Sequence, residues 1–233
     1  WYFMTTPKIY RLRDQVDKYP GFLQLFENIE FNPDRWKEHI SMRCIMRGPL
    51  PFNGEYKPVP LQFNNEGKRK KFVLSDICLN MDPFVIFSEK ARKALEAFLS
   101  PVGEFLEVIA PVPGYIGYRV LVQIDNCVDL EKSDYTKYDN GNIWVRKPTM
   151  YEAKVRGQHI FAIPEAPTDL FVSEDFKEAV TLAKLKGFDF SKEIPLVWSL
   201  GESTLGKQPA PITLSYDAAD RLTQETRVGG TQV

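Results

Sequence analysis

The chain has 233 residues, 43% hydrophobic and 13% aromatic, with 30 Lys and Arg set against 31 Asp and Glu for a formal net charge of −1. That is ample material for a core in one large domain or two small ones, and the balanced charge argues against any general attraction to nucleic acid or to an anionic membrane. No apolar stretch approaches the ~18–20 residues that span a bilayer, and no secretion-signal pattern surrounds Met4, so a cytoplasmic protein is expected.

Trp1-Tyr2-Phe3 reads as vector-derived sequence ahead of Met4. Lys8-Ile-Tyr-Arg-Leu12 alternates as a strand does, and Tyr19-Pro20-Gly21 marks a turn. Phe22–Phe26 suits a short strand or a helical turn, and Asp34–Ile40 a helical turn after Asn32-Pro33. Residues 48–70 are broken by Pro, Gly and Asn and read as a long loop, with a short strand at Val59–Phe63. That loop ends in Lys68-Arg69-Lys70-Lys71, a solvated charged edge. Phe72–Asp76 resumes an apolar pattern that fits helix or strand.

Val85-Ile-Phe-Ser-Glu-Lys-Ala-Arg-Lys-Ala-Leu-Glu96 is then answered by Leu170-Phe-Val-Ser-Glu-Asp-Phe-Lys-Glu-Ala-Val-Thr181. Each copy runs from an apolar strand through Ser-Glu into an amphipathic helix, and a glycine (Gly103 or Gly187) precedes the next apolar strand. Ser88 and Ser173 are N-caps, and Glu89, Glu174 and Asp175 complement the helix dipole. Ala91, Ala94, Leu95 and Phe98 in the first copy make one apolar face. Phe176, Ala179, Val180 and Ala183 do so in the second. Gly187 has the place of a left-handed C-terminal glycine. Between the copies, Phe105–Ile109 and Tyr118–Ile124 read as strands and Pro111–Gly117 as a loop. Asp125–Asn140 is acidic and turn-rich, and Asn140-Gly141-Asn142 is a hairpin connection into Ile143–Val145. Tyr151–Val155 and His159–Ile163 are further strands, and Phe188–Phe190 and Ile194–Trp198 close the domain. Beyond Leu200 the chain is polar, with a short helix expected at Asp217–Glu225.

The sum is an α+β fold of mostly antiparallel short strands, with two principal helices from the duplicated unit. Residues 4–200 are expected to form a single domain, with a division into pseudo-repeated lobes (4–110 and 111–200) left open, and residues 201–233 a polar tail.

Catalytic equipment is sparse. The three cysteines, Cys44, Cys78 and Cys127, show no C-x-x-C and read as ordinary buried thiols. The two histidines, His39 and His159, stand in no recognisable pairing. No G-x-S-x-G, phosphate loop, dinucleotide fingerprint or zinc spacing occurs. The chain therefore reads as non-enzymatic and without cofactor or metal. Asp125, Asp129, Glu131, Ser133 and Asp134 form the densest acidic region. It admits a divalent-cation site, a side-chain-capped turn or an acidic recognition surface. Tyr115, Tyr118, Tyr135, Tyr138, Trp144 and Tyr151 crowd the surrounding segment and are the types that anchor interfaces. As partner-binding residues we single out Tyr115, Asp129, Glu131, Asp134, Tyr135, Tyr138, Asp139 and Trp144.

Several motifs, taken in order, resemble one family. They are the first strand Lys8–Leu12, Phe87-Ser-Glu-Lys-Ala-x-x-Ala-Leu95, Gly103-Glu-Phe-Leu106, Val122-Gln-Ile-Asp-Asn-Cys-Val-Asp-Leu-Glu-Lys-Ser133, Ile160-Phe161 with Pro164, and Ser173-Glu-x-Phe-Lys177 with Leu185-Lys-Gly-Phe-x-Phe190. Over residues 8–198 the chain is similar to family eleven of the bacterial polymorphic-toxin immunity proteins. The resemblance implies a non-enzymatic protein, encoded beside a toxin, that binds and neutralises it. Such toxins pass between bacteria by contact-dependent or type VI routes and are often nucleases. The partner is then a cognate toxin rather than nucleic acid or membrane. An effector-binding adaptor for secretion, and a metal-assisted enzyme built on Asp125, Asp129 and His159, are the alternatives.

Overall fold

The computed structural model describes residues 7–26, 35–64 and 73–198, and the backbone of 212–216 and 222–227. By its contacts the chain divides into Trp1–Val197 and Trp198–Val233.

In the first unit, β1 (Ile9–Arg11), β2 (Arg13–Asp14) and β3 (Phe22–Gln24) lead through a 3-10 turn at Arg35–Glu38 to α1 (Ile40–Arg47) and β4 (Val59–Phe63). Then come β5 (Ile77–Met81), β6 (Phe84–Ser88), α2 (Glu89–Leu99), β7 (Gly103–Leu106), β8 (Val108–Ile109) and β9 (Tyr115–Val120). The hairpin β10 (Asp134–Lys137) and β11 (Ile143–Lys147) is followed by β12 (Met150–Tyr151), α3 (Glu152–Val155), β13 (Ile160–Ala162), β14 (Leu170–Ser173) and α4 (Glu174–Leu182). β15 (Phe188–Asp189), β16 (Glu193–Ile194) and β17 (Leu196–Val197) end the unit. Residues 212–216 and 222–227 pair as a separate antiparallel hairpin. The architecture is α+β.

Two four-stranded antiparallel sheets organise the first unit, in the orders β5-β6-β9-β7 and β13-β14-β1-β16. Successive side chains on a strand point to opposite faces, and here both faces of both sheets are covered. Val85, Phe87, Tyr118 and Val120 from the first sheet share a central core with Tyr10, Ile160, Leu170 and Val172 from the second. Helices α2 and α4 add Leu95, Leu99, Phe176 and Val180 to it. On the outer face of the first sheet, Phe84 and Ile86 pack with Ile40, Cys44 and Phe52 of α1 and the segment after it. On the outer face of the second, Ile9, Phe161 and Phe171 pack with Cys127, Val128, Val145 and Met150. This double cover is why Phe84–Phe87 and Leu170–Val172 are unbroken apolar runs rather than alternating ones.

Both Ser-Glu segments form the strand and helix expected of them. Ser88 Oγ accepts from Ala91 N (3.1 Å) and Ser173 Oγ from Phe176 N (3.2 Å). They diverge after the helix: β7 returns to the sheet of β6, whereas β15 leaves to pair with β2. Because β1 joins the second sheet and β9 the first, a division near residue 110 would cut both.

Several local expectations are revised. Phe22–Gln24 is strand. The turn near Asp34–Ile40 runs on into α1, a helix the sequence reading missed. α1 buries Ile40 and Cys44, and His39 caps it by accepting from Ser41 N through Nδ1 (3.3 Å). Histidine is not among the usual caps. Burial depresses the His39 pKa, which favours the neutral acceptor. The strand drawn over Tyr118–Ile124 spans Tyr115–Val120, and beyond it the chain bridges to β13 through Ala162 N to Val122 O and Ile124 N to Ala162 O, both 3.0 Å. In the segment read as the strand Tyr151–Val155 only Tyr151, the end of β12, is strand; the rest is one turn of helix that buries Glu152 and Val155. At Phe72–Asp76 the regular element starts only at Ile77. The helix expected at Asp217–Glu225 is replaced from Leu222 by strand. Trp1–Phe3 and Lys68–Lys71 lie outside the described residues.

Gly187 does not end α4. That helix stops at Leu182, and Lys184 takes the left-handed conformation (φ 51°). Gly187 has φ 89°, and a Cβ there would overlap the Ser75 hydroxyl. The glycine thus serves the crossing of two chain segments, which Asp76 also ties by accepting from Ser88 Oγ (2.6 Å) and Lys186 N (2.7 Å).

The irregular segment between α1 and β4 is pinned by Arg47, which donates to Pro51 O (2.7 Å) and pairs with Glu55 (2.6 Å), and by a buried side chain from β9. Arg119 of β9 is 2% exposed. It donates to the carbonyls of Leu50 (2.8 Å), Gly48 and Cys44 (3.5 Å), pairs with Glu104 (3.3 Å), and lies over the Phe52 ring at 4.8 Å. A fork of donors suits a helix C-terminus, where carbonyls lack helical partners.

Candidate partner-binding surface

The hairpin β10–β11 is built by its turn. Gly141 has φ 85°, Tyr138 N donates to Asn142 O (2.9 Å), and Asn142 N to Asn140 Oδ1 (3.0 Å). Thr136 faces Trp144 and Tyr135 faces Val145 across the pair. Val145 is fully buried, and its N–H donates to Glu165 O (2.8 Å), which fastens the hairpin to the 163–167 loop. Its base is a knot. Ser133 Oγ donates to Asp129 O (2.6 Å) and accepts from Thr149 N (2.8 Å), while Asp129 Oδ1 accepts from Glu131 N (3.1 Å) and Lys132 N (3.3 Å). Arg146 grips Asp134 (2.5 Å) and Thr136 Oγ1 (2.7 Å).

The eight residues singled out from sequence separate in space. Tyr138 and Trp144, 51% and 37% exposed, line one groove with Asn142, Pro164, Glu165 and Ile45 of α1; its volume is about 830 Å³. Tyr135, 40% exposed, shares the other hairpin face with Val145. Glu131 and Asp139 are exposed. Asp129 is buried within the turn, and Asp134 is held by Arg146. Tyr115 lies away from the hairpin, donating to Ser75 O (2.9 Å) and packing edge-on against Phe22. Sequence reasoning missed Ile45 and the wall at Pro164–Pro167; the closely spaced prolines were the available signal.

The acidic run thus forms the capped turn at Asp129–Ser133, and the cation site it admitted is not assembled. Asp125 accepts from Gln123 Nε2 (3.2 Å), and among the described residues no group of three or more His, Cys, Asp or Glu side chains could hold a metal ion. His159 Nδ1 lies 3.0 Å from Ser173 Oγ and 3.6 Å from Asp175 Oδ2. A serine relay needs base and orienting carboxylate on opposite ring nitrogens; here both use one, and Ser173 caps α4. All three thiols are buried, which pushes Cys44 and Cys127 up to about 12 and Cys78 to about 11. None is a thiolate at neutral pH.

A family model described as an immunity protein family (Imm11) matches residues 2–193. The chain belongs to the Imm11 immunity protein family. The matched span takes in the first four-stranded sheet, the second as far as the start of β16, the hairpin and the groove beside it. It also begins within the three residues read as vector-derived. No curated protein matches the chain. Imm11 membership makes toxin immunity the functional class, agrees with a non-enzymatic inhibitor and confirms the resemblance drawn from the ordered motifs. Among the described residues no helix is long and apolar enough to cross a membrane.

One electrostatic feature of this Imm11 chain lies behind the hairpin. Arg11 (3.3 Å) and Arg13 (2.9 Å) share the carboxylate of Asp169, and Asp82 sits 3.9 Å from Arg13. Burial, reinforced by Asp14 and Asp169, pushes Asp82 up to about 8. In the unfolded chain the same group titrates near ~4. Between those values the folded state holds the extra proton, so stability falls as pH rises across the window. We expect Asp82→Asn to flatten that slope and to gain about 1 kcal/mol or more over the parent at pH 8 relative to pH 5. Urea titrations at the two pH values check it; parallel curves would remove Asp82 as the cause.

Proposed function

We propose that this protein neutralises a cognate antibacterial toxin, delivered by a contact-dependent or type VI route, by stoichiometric binding in the cytoplasm of the producing cell. The hairpin groove is the docking surface. The observation that carries this is the pairing of exposed Tyr138 and Trp144 on a hairpin whose base is locked by the Asp129–Ser133–Thr149 knot. Large aromatic rings presented on a rigid frame bind at low entropic cost. A tight complex would bury ~1,600 Å² in total, so the groove would be the centre of a wider contact. A nuclease toxin suits the exposed acidic residues Glu131 and Asp139 at the hairpin, because a substrate groove for nucleic acid is basic.

The test is co-expression with the toxin encoded by the adjacent gene, followed by calorimetry on the purified pair and a direct assay of toxin activity. A one-to-one complex with activity abolished is expected. A complex that leaves the toxin active would identify an adaptor instead, and no association with toxicity unrelieved would end the proposal.

A further inference from the structure

The base of the same hairpin carries a second groove of opposite character. Arg11 and Arg13 of the first strands, Lys132, Arg146 and Lys147 of the hairpin base, and Lys192 before β16 line a recess of about 770 Å³. That volume lies within the ~300–1,000 Å³ of sites that enclose a small ligand or a few peptide residues. Among the described residues two carboxylates, Asp134 and Glu193, line it. Asp129 and Asp169 stand behind the wall, paired with Lys132 and with the two floor arginines. Cations outnumber carboxylates even with those counted, in a chain whose net charge is −1.

The floor is fixed while the rim is free. Arg11 donates to the Arg146 carbonyl (2.6 Å) and lies over the Phe171 ring, and its Nε is buried without a partner. Asp169 serves both guanidiniums and Asp82 lies 3.9 Å from Arg13, so the floor arginines are held in place and the uncompensated positive charge sits at the rim. Lys147 and Lys192 are exposed and make no ion pair with any described residue. Rigid guanidiniums below mobile ammoniums are a receptor for carboxylates.

We infer that this cationic groove takes an extended acidic segment, with at least two Asp or Glu side chains, of the toxin partner. This rests on the reading of the protein as a toxin-binding immunity protein and names the chemistry of a second contact, at the base of the hairpin. An acidic peptide is favoured over nucleic acid on two grounds. Among the described residues no aromatic ring lines the recess to stack a base, and Asp134 and Glu193 interrupt the track that a continuous phosphate backbone would need.

The test uses the full chain and a fluorescein-labelled deca-glutamate peptide in anisotropy titrations, beside a ten-nucleotide single-stranded DNA. Saturable peptide binding that weakens with added salt is expected. The double variant Lys147→Glu/Lys192→Glu should lose at least roughly tenfold in peptide affinity and in affinity for the toxin. Lys57→Glu, an exposed lysine outside both grooves, should leave both affinities unchanged. Because neither rim lysine holds the fold together, the double variant should melt as the parent does. The inference is overturned if the peptide does not saturate, if charge reversal leaves both affinities intact, or if the DNA binds more tightly than the peptide. A parent protein that binds the peptide through these lysines but neither binds nor neutralises the toxin would instead overturn the functional reading and leave the groove chemistry standing.

Discussion

Arg119→Met will destabilise the first unit by about 3–5 kcal/mol, the cost expected when one partner of a buried charged network is removed. The guanidinium has carbonyls of Cys44, Gly48 and Leu50 and the Glu104 carboxylate as its partners, with the Phe52 ring against its face. Methionine fills part of the volume but supplies no donor, so the helix C-terminus, the following segment and Glu104 are all left wanting. Arg119→Lys restores a charge without the planar fork and should recover only part of the loss. Urea unfolding of the three proteins measures both steps. A loss under about 1 kcal/mol for the methionine variant would show that the network contributes little.

Tyr138→Ala and Trp144→Ala should each weaken toxin binding by about 2 kcal/mol, roughly thirtyfold, as expected of aromatic anchors near an interface centre. Both side chains are substantially exposed in the free protein, so their removal uncovers little core, and the melting temperature should hardly move. The contrast between lost affinity and kept stability separates a binding role from a packing one. Calorimetry against the toxin and a thermal melt of each variant give the two readouts. Intact affinity in both variants would remove the groove from the interface.

The main features of the fold were legible where local chemistry and burial agreed. Ser88 and Ser173 announced two helix starts because a cap, an acidic first turn and an apolar stripe coincided at each. Asn140-Gly141-Asn142 announced the hairpin because few residue pairs tolerate its turn. The missed elements lacked that agreement. α1 has a histidine cap and only two buried positions, and α3 is a single turn whose Tyr151, Ala153 and Val155 also fit strand alternation. The surface was less legible than the fold. Tyr138 and Trp144 belong to one segment and line one groove, but Tyr115, grouped with them by sequence distance, packs on Ser75 and Phe22. The acidic run Asp125–Asp134 admitted a cation site, a capped turn or an acidic surface, whereas Arg11, Arg13 and Lys192 arrive beside it from distant parts of the chain and make the hairpin's base basic. No linear pattern records that meeting.

The placement of β1 governs when a newly made chain becomes useful. This strand lies between β14 and β16, so pairing of its first edge awaits residues near Ser173 and pairing of both edges awaits residues near Ile194. At roughly 5–20 residues per second, a ribosome needs about 10–40 s to supply them after β1 has emerged. Until then the central core has one sheet incomplete, and the cationic recess, whose floor comes from the first strands and whose rim includes Lys192, does not exist. A nascent chain that has not yet reached Ile194 therefore has neither the completed second sheet nor the recess.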